Sequence, residues 1–247
     1  CLHAISDLGI PWERACTRLV AVFSRVRARS HNNEEMIMKN LSEMLRAVRV
    51  LPVLIVQSEA EALEVTAALA AGGLNAAEIT LRTPAALAAI AAVKKARPEF
   101  IVAAGTVRTV ADMRAVAAAG VDFAVSPGFT PALSACAREL QLPFLPGVCT
   151  PSEVIAGSEC GHSSFKLFPA EAVGGMALLK ALASPFAGIE FCPTGGIGPH
   201  NFLDYLALPN VVCIGGSWMV DSALVQQRDW ARIETLARAC VAELGNS

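Results

Sequence analysis

The sequence predicts an α/β fold, a (β/α)8 TIM barrel with a short N-terminal helix, on three observations. From Leu51 onward, short apolar runs alternate with Ala- and Leu-rich stretches of helical character. The eight apolar runs start about 21 to 26 residues apart, which is the combined length of a strand, a loop and a three-turn helix. No Gly-rich dinucleotide turn follows the first run, so an open doubly wound sheet is the less favoured alternative.

Each predicted element is bounded by residues that begin or end regular structure. The predicted strands are Leu51–Val56, Ala77–Leu81, Phe100–Ala104, Asp122–Ser126, Pro143–Pro146, Ser164–Phe168, Ile189–Pro193 and Val211–Ile214. The predicted helices are Glu59–Ala71, Pro84–Ala96, Val110–Ala119, Pro131–Leu140, three that begin near Pro151, Glu171 and Pro199, and a last one over about 228–244. Thr-Pro pairs at 83–84, 130–131 and 150–151 predict N-caps, and glycines at 72–73 and 120 predict helix ends.

Composition narrows the class of protein. The chain has 247 residues, of which 54% are hydrophobic and 17% charged, so it can bury a large core and is not disordered. A net charge of −2 and an aromatic content of 6% argue against a nucleic-acid-binding protein. No apolar run reaches the roughly 20 residues of a membrane helix, so we expect no membrane partner.

The cysteines and histidines give no pattern of a disulfide framework or a metal site. Eight cysteines are scattered without CxxC spacing, which favours free thiols in a reducing cytoplasm over disulfides or a zinc site. The four histidines show no ligand spacing, and His162 and His200 are interpreted as loop or helix-start residues. A metal-dependent mechanism is therefore disfavoured, and we expect no cofactor.

Residues 1–37 do not follow the strand–helix pattern, so we expect an N-terminal extension before a single barrel domain over 38–247. Two adjacent Glu residues at 34–35 would be encoded by purine-rich codons. One hypothesis is that they are a translated ribosome-binding sequence, that the extension is not native, and that the true start is Met38. The alternative is a genuine extension that is disordered or helical.

Lys166 is the first candidate for chemistry, because it is the single lysine of five that falls in a predicted strand. Alternation along that strand places Phe165 and Leu167 on one face and leaves Lys166 and Phe168 on the other, towards the barrel interior. A lysine in water has a pKa of about 10.4 and is a poor nucleophile, whereas a desolvated lysine can form a Schiff base. The alternative is a lysine paired with a core carboxylate or reaching out from the rim.

Polar residues at the ends of other predicted strands could complete a site with Lys166. Glu78, Thr80 and Arg82 share one parity, so Glu78 could act as a general acid/base and Arg82 could hold an anionic group. A structural ion pair at the barrel mouth is the alternative. Thr106 follows the third strand and adds a hydroxyl at the same end.

Glycine-rich loops follow the last two predicted strands. The sequence PTGGIG occupies 193–198 and GGS occupies 215–217. Glycines at these positions expose backbone N–H groups where barrels commonly bind phosphate, so the pair of loops predicts a phosphate site.

Six segments, in chain order, resemble the KDPG/KHG aldolase family, whose namesake substrate is 2-keto-3-deoxy-6-phosphogluconate (KDPG). They are EITLRT at 78–83, AGTV at 104–107, SPG at 126–128, FKLFPAE at 165–171, FCPTGGI at 191–197 and CIGGSW at 213–218. The resemblance runs from about Met38 to the C-terminus. It implies a metal-free class I aldolase that splits KDPG into pyruvate and glyceraldehyde 3-phosphate in the Entner–Doudoroff pathway, built as a homotrimer of barrels.

The resemblance also implies a role for each matching residue. Lys166 would be the Schiff-base lysine and Glu78 the general acid/base, acting through a water. The implied substrate contacts are Arg82, Thr106 and Thr194 at the pyruvyl carboxylate, Phe168 beside the imine, and Gly195, Gly196, Gly216 and Ser217 at the phosphate.

Two departures and two alternatives accompany the resemblance. Gln57-Ser58 stands where many relatives have a basic residue, which puts one anion contact in doubt, and Cys149 stands where Ser is common. A related enzyme would take 4-hydroxy-2-oxoglutarate or another 2-keto acid as its main substrate. A non-catalytic sensor of phosphorylated ligands would bind without turnover.

Overall fold

Parallel strands followed by helices make up the chain from residue 40 to residue 245. The computed structural model describes Met36 and residues 40–245. The extension predicted for 1–37 and the start at Met38 therefore lie outside the described residues, apart from Met36 itself. The same holds for Cys1, Cys16, His3 and His31.

The described elements are close to the predicted ones. The strands are β1 Val50–Leu54, β2 Ala76–Thr80, β3 Ile101–Gly105, β4 Phe123–Val125, β5 Phe144–Leu145, β6 Gly147–Val148, β7 Ser164–Leu167, β8 Glu190–Phe191 and β9 Ile214–Gly216. The helices are α1 over 40–48, α2 Glu59–Ala71, α3 Ala86–Ala96, α4 Val110–Ala118, α5 Pro131–Glu139, α6 Pro151–Glu159, α7 Gly175–Ala183, α8 Phe202–Leu206, α9 Ser222–Gln226 and α10 Trp230–Gly245. Short 3-10 turns span Glu171–Val173 and Trp218–Val220.

All of these strands pair in parallel, which confirms the α/β class. One sheet has the order β5-β4-β3-β2-β1-β9 and a second has the order β6-β7-β8. Isolated parallel bridges join Phe191 to Val211 and Thr194 to Gly215. These bridges connect the edge of the second sheet that ends in β8 to the edge of the first sheet that ends in β9. Pro146 alone separates β5 from β6, because proline lacks the N–H that a continuous ladder requires.

Side-chain alternation along the strands separates two apolar clusters. An outer cluster packs strand residues such as Val102 and Phe165 against the helices. A smaller inner cluster comprises Leu41, Leu45, Leu51, Ala76, Ala103, Phe123, Val125, Leu145, Cys192, Val212 and Cys213. Strand residues that share the parity of the inner cluster therefore point towards the space that the curled sheets surround.

Helix α1 packs against the inner cluster through Leu41 and Leu45, in agreement with the short N-terminal helix that the sequence predicts. Glu190, at the start of β8, accepts hydrogen bonds from Ser42 at 2.7 Å and from Arg46 on this helix. The same carboxylate accepts from Ser164 of β7 at 3.3 Å. Helix α1 thus covers the N-terminal ends of the strands and leaves their C-terminal ends for the predicted site.

Most predicted helix signals are confirmed, and one is wrong. Thr130 and Thr150 cap α5 and α6 through their side chains, with proline at the start of each helix. Thr83 does not cap α3, whose first residue is preceded by Ala85 without a side-chain cap. The Thr83 hydroxyl instead donates to the carbonyl of Val56 at 2.6 Å, which ties the turn after β2 to the end of β1.

The six cysteines in the described part of the chain are free, as predicted. They are Cys136, Cys149, Cys160, Cys192, Cys213 and Cys240. No helix among the described residues is both long enough and apolar enough to cross a membrane.

His162, which lies in the loop after α6 as interpreted, is buried between aromatic rings and makes stability depend on pH. Its Nε2 lies 2.8 Å from the Ser134 hydroxyl, and the rings of Phe129, Phe144 and Phe165 surround it edge-on. Burial, followed by the positive charge of Arg138, lowers the pKa of His162 from 6.5 to about 4. The native imidazole therefore stays neutral in a range where the unfolded chain binds a proton.

We predict that native stability falls as pH falls through this range. A folded pKa below the unfolded one means that the unfolded state gains protons first, so about 3 kcal/mol of unfolding free energy is lost between roughly pH 6.5 and pH 4. Urea denaturation of wild type and His162→Gln across this range measures the effect. An equally steep decline in the variant, which has no imidazole to protonate, would contradict the assignment.

Candidate active site

Lys166 and Glu78 form a buried ion pair at the centre of the site. The Lys166 Nζ donates to both carboxylate oxygens of Glu78, each at 3.0 Å. The two side chains are 6% and 2% exposed. Glu78 shares the parity of Ala76, a member of the inner cluster, so both charged groups lie inside the curled sheets, as predicted.

A buried ion pair is weak evidence for stability, because desolvation of two charges offsets most of their attraction. A lysine held against a carboxylate away from water nevertheless has the two groups that Schiff-base chemistry requires. In that chemistry an amine acts as the nucleophile and a neighbouring carboxylate accepts or returns a proton. The cost of burying this pair therefore makes Lys166 and Glu78 candidates for a functional site.

Glycine at position 105 makes room for Glu78. Gly105 ends β3 beside Thr80 of β2, and a Cβ at Gly105 would lie 2.1 Å from Glu78 Oε1 and 2.7 Å from its Cδ. The next residue, Thr106, has a φ of 62°. A β-branched residue in this left-handed region is strained, and such strain is concentrated at functional sites.

We predict that Gly105→Ala displaces the Glu78 carboxylate from Lys166. The added methyl group leaves no space for Oε1, so kcat of any reaction that uses the Lys166–Glu78 pair should fall roughly ten- to hundredfold, with about 1–3 kcal/mol lost from stability. Gly128→Ala is the matched control, since a Cβ there meets no atom within 4 Å. Equal activity of the two variants would show that the position of Glu78 does not matter.

Phe168 lies next to the lysine amine. Its ring centroid is 5.4 Å from Lys166 Nζ, where the aromatic face attracts a cation and shields it from water. Alternation along the predicted strand places Phe168 on the same face as Lys166, in agreement with this contact.

Of the three polar residues predicted to share one face, Glu78 and Thr80 lie on β2, whereas Arg82 lies beyond its end. Thr80 is buried and donates to the carbonyl of Leu54 at 2.8 Å, so it bonds to the neighbouring strand and not to the Lys166–Glu78 pair. Arg82 lies beyond the strand in an exposed turn, where its Nε donates to Thr106 Oγ1 at 3.3 Å. This bond brings together two of the predicted substrate contacts at the rim.

The two glycine-rich loops are neighbours. The parallel bridge between Thr194 and Gly215 joins them, and Gly195 and Gly196 have φ values of 104° and 81°. A Cβ on Gly215 would lie 2.3 Å from Thr194 Oγ1, so only glycine lets the loops approach this closely. Gly216 and the exposed Ser217 follow Gly215.

Three residues near this site were not among the site residues predicted from the sequence: Cys213, Tyr205 and Glu171. The buried thiol of Cys213 lies in the inner cluster, and its pKa is raised well above the usual range by burial, by Cys192 and by the charge of Glu78. Tyr205, the only tyrosine of the chain, donates from its hydroxyl to Glu171 Oε1. Burial and this bond to Glu171 raise the pKa of Tyr205. The sequence signal for Tyr205 is its uniqueness in a helical segment after the PTGGIG loop.

Gln57 and Cys149, the two departures noted in the sequence, both lie near strand ends. The backbone N–H of Gln57 donates to Glu61 at 2.8 Å, and its side chain is exposed. Cys149 follows β6, and its backbone N–H donates to Glu153 at 2.7 Å. Burial and contact with Glu153 raise the pKa of the Cys149 thiol. Within the described residues, no three His, Cys, Asp or Glu side chains are grouped closely enough to hold a metal ion.

Comparison with known proteins places the chain in one family. Residues 41–236 match the family model described as KDPG and KHG aldolase. The chain is 46% identical over 208 residues to the 2-dehydro-3-deoxy-phosphogluconate aldolase of Pseudomonas aeruginosa, an alignment that covers 84% of this chain and 94% of that protein.

Two solved structures are also similar. One is the KDPG aldolase of Legionella pneumophila with pyruvate captured at low pH as a covalent carbinolamine intermediate. It has a TM-score of 0.79 and 40% identity, over 81% of this chain and 97% of that one. The other is the 2-keto-3-deoxy-6-phosphogluconate aldolase of Zymomonas mobilis with 3-phosphoglycerate. It has a TM-score of 0.78 and 42% identity, over 81% and 94% of the two chains. Together with the family model, which matches most of the sequence, these similarities show that the chain belongs to the KDPG and KHG aldolase family.

Proposed function

We propose that this chain is a class I aldolase that cleaves 2-dehydro-3-deoxy-6-phosphogluconate into pyruvate and D-glyceraldehyde 3-phosphate, as a lyase of the Entner–Doudoroff pathway. The observation that carries the proposal is the buried contact of Lys166 Nζ with both carboxylate oxygens of Glu78. Membership of the family supplies the substrate class. The reaction needs no cofactor, because the protonated imine formed between Lys166 and the substrate is the electron sink.

In the first step, the Lys166 amine attacks the C2 carbonyl of the substrate after giving a proton to Glu78. Loss of the carbonyl oxygen as water, with protons relayed by Glu78, yields a protonated imine. Phe168, 5.4 Å from Nζ, packs beside this cationic group.

The second step breaks the bond between C3 and C4. Glu78, through a water, removes the proton of the C4 hydroxyl, and the electron pair of the C3–C4 bond moves into the imine to give an enamine. Glyceraldehyde 3-phosphate leaves. Glu78 then returns the proton to C3, and water hydrolyses the imine to release pyruvate and free Lys166.

Substrate recognition uses groups at both sides of the lysine. Arg82, Thr106 and Thr194 bind the carboxylate end, which agrees with the charge of Arg82 and its bond to Thr106. Backbone N–H groups of Gly195, Gly196 and Gly216 with the Ser217 hydroxyl bind the phosphate.

We also propose that the two sheets close into an eight-stranded (β/α)8 barrel, which forms a single domain over 38–247. Two observations support this proposal: Pro146 alone interrupts β5 and β6, and two parallel bridges join the other ends of the sheets. We also propose a homotrimer in the cytoplasm. The trimer rests on family membership alone, and the free thiols in the described part of the chain fit a reducing compartment.

The direct test is release of pyruvate from KDPG, coupled to lactate dehydrogenase, with Lys166→Ala as the control. Turnover by wild type and none by the variant is expected. Binding of KDPG without turnover would indicate the sensor alternative. A higher kcat/KM for 4-hydroxy-2-oxoglutarate than for KDPG would favour the other substrate named by the family.

A further inference from the structure

A hydrogen-bonded pair next to the glycine-rich loop 194–198 is not used by the mechanism above. Glu171 is the first residue of the 3-10 turn after β7, and its Oε1 accepts a hydrogen bond from the hydroxyl of Tyr205 on α8. Tyr205 is fully buried, whereas Glu171 is exposed at the rim. An exposed glutamate held by a buried tyrosine has little freedom to change its rotamer.

The Glu171 side chain lies against the loop itself. A Cβ on Gly196 would be 2.4 Å from Glu171 Cγ, so the side chain occupies the space that a larger residue at 196 would need. The Glu171 backbone N–H donates to the carbonyl of Gly195 at 3.1 Å, and Ala170 donates to Thr194 at 2.8 Å. Backbone hydrogen bonds and the packing of the Glu171 side chain therefore both join the segment after Lys166 to loop 194–198.

Asn201, the residue that precedes α8, is also bonded to the loop. Asn201 accepts from the N–H of Gly198 at 2.9 Å and donates to the carbonyl of Gly196 at 3.4 Å. A Cβ on Gly175 would lie 2.5 Å from the Tyr205 hydroxyl, so the Tyr205 side chain also fills the space beside the turn. Loop 194–198, the 3-10 turn and α8 are therefore connected through Glu171 and Tyr205.

Electrostatics make the position of the Glu171 carboxylate important. It carries a negative charge beside Gly195 and Gly196, whose N–H groups are proposed to bind a phosphate dianion. A carboxylate that moved over these N–H groups would compete for them and repel the phosphate. The bond from Tyr205 prevents this movement and keeps the donors available.

We propose that Glu171 and Tyr205 are positioning residues for phosphate recognition, an inference that rests on the proposed function. Tyr205 fixes the Glu171 carboxylate, and Glu171 in turn fixes Gly195 and Gly196, the proposed phosphate donors of the loop. The pair therefore selects for the phosphorylated substrate and leaves imine chemistry at Lys166 unaffected.

The test compares a phosphorylated with an unphosphorylated substrate in Tyr205→Phe. KM for KDPG should rise roughly tenfold, while kcat and the KM for pyruvate in C3 proton exchange in D2O stay within about twofold. Glu171→Gln retains an acceptor for Tyr205 and should have a smaller effect than Tyr205→Phe. In the double variant, the neutral amide no longer repels phosphate, so the KM for KDPG should return towards that of wild type.

Each other result overturns the proposal in a recognisable way. Equal increases of both KM values would show a merely structural role for the pair. A selective increase with Ser217→Ala but none with Tyr205→Phe would leave the phosphate site standing and reject the positioning role. If wild type neither cleaves KDPG nor exchanges pyruvate protons, the proposed function fails and this inference fails with it.

Discussion

Substitution of Lys166 by Ala is expected to lower kcat for KDPG cleavage by at least about 10⁴-fold, the largest effect of any single change in this chain. The amine is the covalent nucleophile, and no other lysine in the described residues contacts Glu78. Steady-state release of pyruvate measures the loss. Because removal of one partner leaves a buried charge unpaired, we also expect about 3–5 kcal/mol lower stability.

Two further variants separate the chemical loss from the structural one. Lys166→Arg keeps a cation near Glu78, but a guanidinium forms no imine with a ketone. Its activity should therefore also be lost, while its fold should be more stable than that of Lys166→Ala. Ser164→Ala is the control for a structural change on the same face of β7. Ser164 lies two residues before Lys166, and its side chain contacts Glu190 and not Glu78. Activity of Lys166→Arg near that of wild type would exclude a Schiff base at this residue.

Substitution of Glu78 by Gln should lower kcat by roughly 10²- to 10⁴-fold, the usual contribution of a general acid/base. The amide has nearly the same shape as the carboxylate and retains one acceptor for Lys166 Nζ, but it cannot carry the proton of the C4 hydroxyl or return it to C3. Pyruvate release and exchange of the pyruvate C3 protons in D2O measure these two transfers separately.

Both rates should fall together in Glu78→Gln, because one carboxylate serves both transfers. Thermal unfolding provides the control that the variant remains folded. Unchanged C3 exchange beside a slow cleavage would show that another group protonates the enamine, and Glu78 would then act only on the C4 hydroxyl.

Much of the site follows from side-chain alternation along strands. Parity alone placed Lys166 and Glu78 on the interior faces of β7 and β2, although they are 88 residues apart in sequence. The distance between them depends on how the sheets curl, which alternation does not determine. The contact of Phe168 with the amine follows from the same rule.

Other features depend on contacts that local patterns do not encode. Thr83 has the sequence of an N-cap, yet its hydroxyl donates to the carbonyl of Val56 in the loop after β1, a partner far away in sequence. The last strand was predicted at Val211–Ile214, whereas β9 is Ile214–Gly216, so the two share only Ile214. The pairing of Leu51 and Pro52 with Gly215 and Gly216 outweighs the low strand propensity of glycine. Helix α9 has five residues, too few for helical periodicity to appear.

Formation of an imine between Lys166 and the keto group of the substrate can be trapped chemically. Borohydride reduction of the protein in the presence of pyruvate, followed by peptide mass spectrometry, detects this imine. One covalently attached pyruvyl group is expected, located at Lys166 and absent from Lys166→Ala. Protein that cleaves KDPG but carries no adduct at Lys166 after reduction would contradict it.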